Sequence, residues 1–519
     1  MILERAKNTK RNALFGFLNQ AVVVLLPFII RTLLIKELGI EYVGISGLFS
    51  SILSILSLTE LGFDSAVVII LYGAIAKDDQ RQINALMAFI KRAYFIVGIV
   101  ILFLGLCCMP FLKYLVKDAS SLPADINLYY IYLIFLAGTV ISYFFGGYRN
   151  SLVIGFQRND IVSKISLGAQ MVIFALQVFI LTNFKNYYYY IITIPLLSLI
   201  KNLLLVFFSK RIFPRVKAEG KINDEEKKEI KKLVTGSFLN MVGSRMSITL
   251  DNIVISSFLG VFILGYYSNY YFIANSVITL LFLTYTSMQG GFGNAVNTDS
   301  MEKNRGDMNK LHFIYNWMLG WFCFTMFFLF QPFMCLWLGE DGMLPNFVVV
   351  LLCLFVYQSE CFGIVGAYKT ALGIVWEDRF RPIIAGLFNL TVKILLVLWL
   401  SRYGEEYALI GIIISTILSY ALINCPWFVS LVFKKYYKTG LKKCYITTYK
   451  YFSVAILCAL VCFPLFNMLP ITRGIDGWKF FAIRAVLCIV VPNVLFGLVY
   501  HRSETFKEAK EFLFARIKL

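Results

Sequence analysis

Glu60 and Asp64 stand four residues apart in SLTELGFDSAVVIIL, Ser57 to Leu71, a stretch otherwise suited to hydrocarbon. On a helix the two carboxylates share one face, and like charges at that spacing repel. In an apolar setting at least one of them must carry a proton or pair with a cation. Such a pair suits a coupling proton or sodium ion. It equally suits a structural role, with Glu60 bonded to backbone near Gly62, where the helix bends, and Asp64 close to water. Other ionisable residues interrupt apolar runs: Arg31, Lys201, Arg245, Asp251, Glu360, Lys393 and Arg484. Each costs roughly 3 kcal/mol or more at bilayer depth, so each marks a pathway or a buried pair. Arg245, Glu360 and Lys393 fall near the middle of their runs. Lys201 and Arg484 are close enough to an end to snorkel.

The elements that carry these residues are membrane helices. The 519 residues are 59% hydrophobic and only 15% charged, where a soluble protein is nearer a quarter charged. Apolar runs of about 20 residues recur along the whole length. They predict an all-α polytopic membrane protein with fourteen spans, near 13–35, 43–73, 90–112, 127–148, 165–182, 188–209, 233–258, 263–298, 312–337, 347–368, 382–401, 407–433, 451–468 and 480–500. The second and eighth are long and broken by Gly and Ser, which predicts bends. No cleavable signal peptide is expected at the N-terminus.

The net charge of +19 belongs to one membrane face, not to nucleic acid. With both termini in the cytoplasm, the inward segments hold 37 of the 49 Lys and Arg, and the outward loops hold seven. That is the positive-inside pattern, and it turns a basic face to anionic membrane lipids. The eleven cysteines lie in apolar runs without a CxxC pair, and only His312 and His501 are histidines, both near polar flanks. Neither a metal centre nor a histidine proton relay is expected.

A repeat divides the chain. Phe17-Leu18-Asn19, Leu38-Gly39 and Gly44 recur as Phe238-Leu239-Asn240, Leu259-Gly260 and Gly265, each 221 residues on. The expected organisation is a six-helix bundle at 1–209, a cytoplasmic linker at 210–232 with a short helix capped near Asn223 or Asp224, a second six-helix bundle at 233–433, and two additional helices with a cytoplasmic tail at 434–519. Parallel repeats of this kind are a transporter plan with the site between them.

The stretch KRNALFGFLNQAVVVLLPFIIRTLLIKELGIEYVGISGLFSSILSILSLTELGFDSAVV, Lys10 to Val68, resembles the start of bacterial polysaccharide flippases of the Wzx type. YRNSLVIGFQRNDIVSKI (148–165) and LDNIVISSFLGVFILGYYSNYYFIANSV (250–277) are similar in style. The resemblance implies two facing six-helix bundles, as in multidrug antiporters and the lipid II flippase. It implies transfer of an undecaprenyl-diphosphate-linked oligosaccharide to the outer leaflet of the bacterial cytoplasmic membrane, for capsule, O-antigen or exopolysaccharide. A polysaccharide polymerase and glycosyltransferases are the implied partners.

That reading gives the buried charges work. A diphosphate needs cations in place of water, and the fork of arginine matches phosphate oxygens in pairs. Arg31 and Arg245, on the spans that open each half, are the expected substrate contacts, with Lys393 third. Pairing with buried carboxylates, which would lock helices together, is the structural alternative. Tyr266, Asn269 and Tyr270, within YYSNYY, offer faces and hydrogen bonds to sugar rings, or pack helices. Glu60, Asp64, Asp251 and Glu360 are the candidates for ion coupling, and no other cofactor is expected. The same acidic residues keep an organic-cation antiporter open as the rival function. A membrane enzyme fits poorly with short outward loops and two histidines.

Overall fold

The computed structural model describes residues 5–57, 63–117, 122–374 and 376–517. Among the described residues there are α-helices and short 3-10 and π turns, and no strand. Residue contacts divide the chain into two compact units, Met1–Ser268 and Asn269–Leu519. The first contains α1 (Arg5–Glu37), α2 (Ile40–Leu56), α3 (Phe63–Ala76), α4 (Gln80–Cys108), α5 (Leu128–Phe144), α6 (Arg149–Gly155), α7 (Asn159–Asn183), α8 (Tyr187–Ile212), α9 (Asp224–Leu259) and the start of α10 (Val261–Thr286). The second contains the rest of α10, α11 (Gln289–Thr298), α12 (Met301–Leu338), α13 (Asn346–Glu360), α14 (Gly363–Ala371), α15 (Arg381–Leu400), α16 (Glu405–Ser419), α17 (Cys425–Val432), α18 (Leu441–Asn467), α19 (Gly474–Tyr500) and α20 (Glu504–Ile517).

The expected spans fall largely on helix among the described residues. Among the described residues, eleven helices are long and apolar enough to cross a membrane. The bent pair α5 and α6, at 54° to each other, makes a twelfth. The second and seventh expected spans fall on shorter apolar helices, Ile40–Leu56 and Thr249–Leu259 within α9. The bend expected in the second span falls on residues 58–62, outside the described residues. The eighth span is interrupted by a turn between α10 and α11, and Val261–Thr298 passes as one continuous span.

Helix ends depart from expectation for a single reason. Hydropathy registers where a helix is apolar, not where it stops. Thus α4, α12 and α18 begin about ten residues before their apolar runs, in basic, polar sequence. The linker helix does begin near Asn223, but it is not short: α9 continues unbroken for 36 residues. Because α9 packs on α2 and α3, it groups with the first unit, and the division falls inside α10 rather than at 210–232. Polar caps start several membrane helices. Asp79, Asn127, Asn186 and Ser300 accept from the backbone N–H groups of the first turns of α4, α5, α8 and α12, which water would otherwise have to satisfy.

The repeat has a structural meaning. Gly39 and Gly260 both have positive φ, 135° and 90°. Each donates its N–H to the carbonyl five residues earlier, Leu34 and Ile255, at 3.2 and 3.1 Å. The same helix stop therefore recurs in both repeats, and it needs glycine. The next glycines bring two backbones together. A Cβ on Gly44 would lie 2.0 Å from the Val261 carbonyl oxygen, and one on Gly265 would lie 2.5 Å from that of Ile40. The contact is reciprocal, α2 on α10, within the first unit.

Gly44→Ala is expected to cost about 1–3 kcal/mol or more, since α2 and α10 must part. Gly168→Ala on α7, where a Cβ would meet nothing within 4 Å, is expected to stabilise by up to about 1 kcal/mol. Thermal unfolding of the purified variants in detergent checks the pair. Equal behaviour would contradict the glycine crossing.

Candidate functional site

In the first unit, Arg31 lines a cavity of about 280 Å³ between α1, α2, α7 and α8. Its polar walls are Ser46, Gln170, Gln177 and Tyr190. Arg31 donates from Nη1 to the backbone carbonyl of Ser268 at 2.8 Å. Ser268 lies one turn beyond the glycine crossing, so the close approach of α2 and α10 brings the carbonyl to the guanidinium. The carboxamides are held from behind. Gln177 donates to Thr193 at 2.7 Å, and Gln170 donates to Ser166 at 2.6 Å. Ser46 and the Tyr187 hydroxyl are 2.7 Å apart. The cavity thus presents a cation, two amides and two hydroxyls at the depth of apolar helices, a set suited to an anionic or strongly hydrated group.

Four further expected residues belong to this unit: Glu60, Asp64, Arg245 and Asp251. Glu60 lies outside the described residues, as do the side chains of Asp64 and Arg245. Asp251 is buried on α9, beside the contact in which Asn252 donates to Ser51 at 2.8 Å.

The second unit holds Glu360 at the end of α13. It is buried and accepts from the Tyr315 hydroxyl at 2.7 Å. The Tyr285 ring stands 5.8 Å from that of Tyr315. Gly363 makes this possible, because a Cβ there would lie 2.9 Å from the Tyr315 hydroxyl. A polar network continues along α12. Asn316 donates to the Cys361 carbonyl at 3.1 Å and accepts from Tyr357 at 3.2 Å. His312 Nε2 lies 2.8 Å from the Thr448 hydroxyl on α18. His312 is therefore a core residue rather than a flanking one, because α12 begins well before its apolar run.

The other expected contacts are more enclosed. Tyr270 is fully buried, donates to Gln331 at 2.7 Å and accepts from the Leu344 N–H at 3.0 Å. Asn269 is also fully buried, and Tyr266 is half-buried against Phe262. Lys393 is fully buried on α15, one turn beyond Asn389, which bonds Ser415 and Thr416 of α16. Arg484 is buried and donates to the Leu469 carbonyl, just past the end of α18.

Sequence reading missed two paired staples. Asp160, fully buried, accepts from Arg158 at 2.8 Å and Lys164 at 3.2 Å. Asp378, also fully buried, is held by Lys369 and by Arg381, the latter at 2.7 and 2.9 Å. The signal was present: Tyr148-Arg149, Leu152 and Ile154 recur 220 residues on as Tyr368-Lys369, Leu372 and Ile374. Both staples follow a short helix, α6 or α14, and lead into a long one. Nearby, Glu377 is ion-paired with Lys435, which holds its carboxyl below the usual range. Gln170 and Gln177 also had a signal, since they share one face of α7 with Ser166.

The model of a family described as polysaccharide biosynthesis protein matches residues 9–289. No curated protein sequence matches the chain. Solved structures share the fold, among them three that follow. A lipid II flippase, MurJ, in an inward closed conformation, is 15% identical with a TM-score of 0.64, over 94% of this chain and 98% of that one. An inward-facing multidrug resistance MATE family transporter of the MOP superfamily is 16% identical with a TM-score of 0.59, over 82% and 96%. A MOP superfamily transporter from Pyrococcus furiosus, described by the reverse polarity of its binding pocket, is 16% identical with a TM-score of 0.53, over 84% and 96%. The fold is one of transporters and flippases, not of enzymes.

Asp378→Asn leaves Lys369 and Arg381 facing a neutral group, and is expected to cost about 3–5 kcal/mol. Asp224→Asn, at an exposed pair with Lys227, is expected to change nothing measurable. Unfolding curves of the two variants test this. A silent Asp378→Asn would remove the staple from the account.

Proposed function

The chain belongs to the polysaccharide biosynthesis protein family, and on that premise we propose that it is a flippase for a lipid-linked oligosaccharide. Its substrate is an undecaprenyl-diphosphate repeat unit, carried from the inner to the outer leaflet of the bacterial cytoplasmic membrane for cell-surface polysaccharide. The observation that carries this reading is Arg31, set in a polar cavity with Gln170 and Gln177 and met by a backbone carbonyl. The Ser268 carbonyl is a neutral partner, which a phosphate oxygen can replace at that one donor of the guanidinium. The lipid tail stays in the bilayer, while the cavity supplies what water supplied to the head.

Arg245 is the proposed second phosphate contact, from the matching span of the other repeat. Lys393 meets substrate only in a state where α15 and α16 part. Tyr266 is the accessible member of the aromatic set, and Asn269 and Tyr270 support it. Glu360 with Tyr315 is the proposed site for a coupling proton or sodium ion, with Glu60, Asp64 and Asp251 as further acidic groups on the route. A polymerase and glycosyltransferases are the proposed partners, receiving and supplying the repeat unit.

One observation favours a second reading, an antiporter of organic cations. Glu360 is a buried carboxylate beside two tyrosine rings, and such a set also suits a cationic aromatic ligand.

The test is on the lipids of the host. In a deletion strain, undecaprenyl-diphosphate carrying a complete repeat unit is expected to accumulate, as quantified by mass spectrometry. The wild-type gene is expected to relieve it. Arg31→Ala is expected to lower the flux about 10- to 100-fold, the worth of one charge-assisted phosphate contact, and Arg31→Lys to restore part of it. Equal rescue by Arg31→Ala would keep the flippase and discard the site. An unchanged lipid profile would favour the antiporter.

A further inference from the structure

A second cavity in the first unit has a different chemistry. It measures about 530 Å³ and lies between α2, α5 and α8. Six hydroxyls line it: Ser50, Ser54 and Ser57 from α2, Thr139 and Ser142 from α5, and Ser198 from α8. The described lining residues carry no charge. On α2 the serines are spaced four and three apart, so they form one face. Gly138 contributes the remaining room by bringing α5 against Pro195 of α8, where a Cβ would lie 3.4 Å from the proline nitrogen.

These hydroxyls behave unlike many others in the chain. Serines and threonines in apolar helices commonly satisfy themselves on the carbonyl three or four residues earlier. Thr32, Thr182, Ser209, Ser268, Ser276 and Thr279 all do so. Of the six in this cavity only Thr139 does, at 3.3 Å to Phe135. Among the described residues, the hydroxyls of Ser50, Ser54, Ser57, Ser142 and Ser198 make no hydrogen bond within the protein. Five uncommitted hydroxyls from three helices converge on one space inside an apolar chain. Each is both donor and acceptor, and each is at least part-exposed to the space it lines, so all are open to a molecule that enters.

We infer that this cleft is a subsite for the neutral sugar residues of the carried glycan. A sugar ring matches it in kind, since its hydroxyls also donate and accept at once. A phosphate does not, because it needs cations that the described lining lacks. The position matches as well. Ser46 of the Arg31 cavity and Ser50 of this cleft are one helical turn apart on α2, and Leu197 and Ser198 of α8 line one cavity each. A diphosphate at Arg31 thus has its first sugars within reach of the cleft. The inference rests on the flippase reading and adds the place where the glycan is held.

The experiment separates the two. The wild-type protein in lipid nanodiscs is titrated with two probes: undecaprenyl diphosphate without sugar, and the glycan-bearing lipid extracted from the deletion strain. The triple variant Ser54→Ala, Ser142→Ala, Ser198→Ala is expected to bind the glycan-bearing lipid at least about tenfold more weakly, given three lost hydrogen bonds. It is expected to bind the sugarless lipid as wild type does. Ser54→Thr, which keeps a hydroxyl, is expected to retain glycan binding. Loss of both probes together would overturn the subsite, as damage unrelated to sugar. So would unchanged glycan binding by the triple variant, which would leave a cleft that holds water only. A wild-type protein that binds neither lipid would sink the flippase reading, and the subsite with it.

Discussion

Two main chains touch where α2 crosses the start of α10, and they can do so only because neither Gly44 nor Gly265 has a side chain. Much of the first unit depends on that approach. It sets the Ser268 carbonyl against Arg31 and the Ser268 hydroxyl 3.3 Å from where a Cβ on Gly47 would sit. Farther along, Asn252 reaches Ser51, and Ser256 reaches the Leu115 carbonyl at 2.7 Å. Dispersion and weak polar contacts, rather than hydrophobic exclusion, must hold such helices together in lipid, and both need short distances. A bulkier residue at either glycine would push α2 and the start of α10 apart.

Buried charge is handled in two ways. Within the apolar helices, neutral dipoles take part: the Ser268 carbonyl meets Arg31 and the Tyr315 hydroxyl meets Glu360. At the ends of short helices, full ion pairs answer it, around Asp160 and Asp378. The difference suits the two tasks. An ion pair broken at depth leaves two bare charges, so it favours permanence. A dipole can be exchanged for a ligand at smaller cost, so it leaves a charge available for transport.

The sequence carried much of this, though unevenly. The repeat at 221 residues contained the crossing itself, because Gly39, Gly44, Gly260 and Gly265 recur for a backbone reason. The spans were legible because lipid demands long apolar runs. Helix ends were not, since α4, α9, α12 and α18 continue through polar sequence that hydropathy reads as loop, and His312 was misplaced for the same cause. At the site, Arg31 was visible by type alone: a cation inside an apolar run is rare. Its companions were not. Gln177 matters because Thr193 holds it and α8 faces it, and such pairings arise only in three dimensions. Serines in α2 are compositionally ordinary, and only their lack of partners sets Ser50 and Ser54 apart from Thr32 or Ser268.

The unbroken run of α9 has a mechanical side. Thirty-six helical residues span about 54 Å, against a hydrocarbon layer of about 30 Å. A good part of the helix therefore stands in water, as one stiff rod with the part in lipid. Pivoting at Leu259 by about ten degrees would sweep the Asp224 end through about 10 Å. The polar end of α9 is thus a pointer, on which a small change of angle at the far end of the rod is written large.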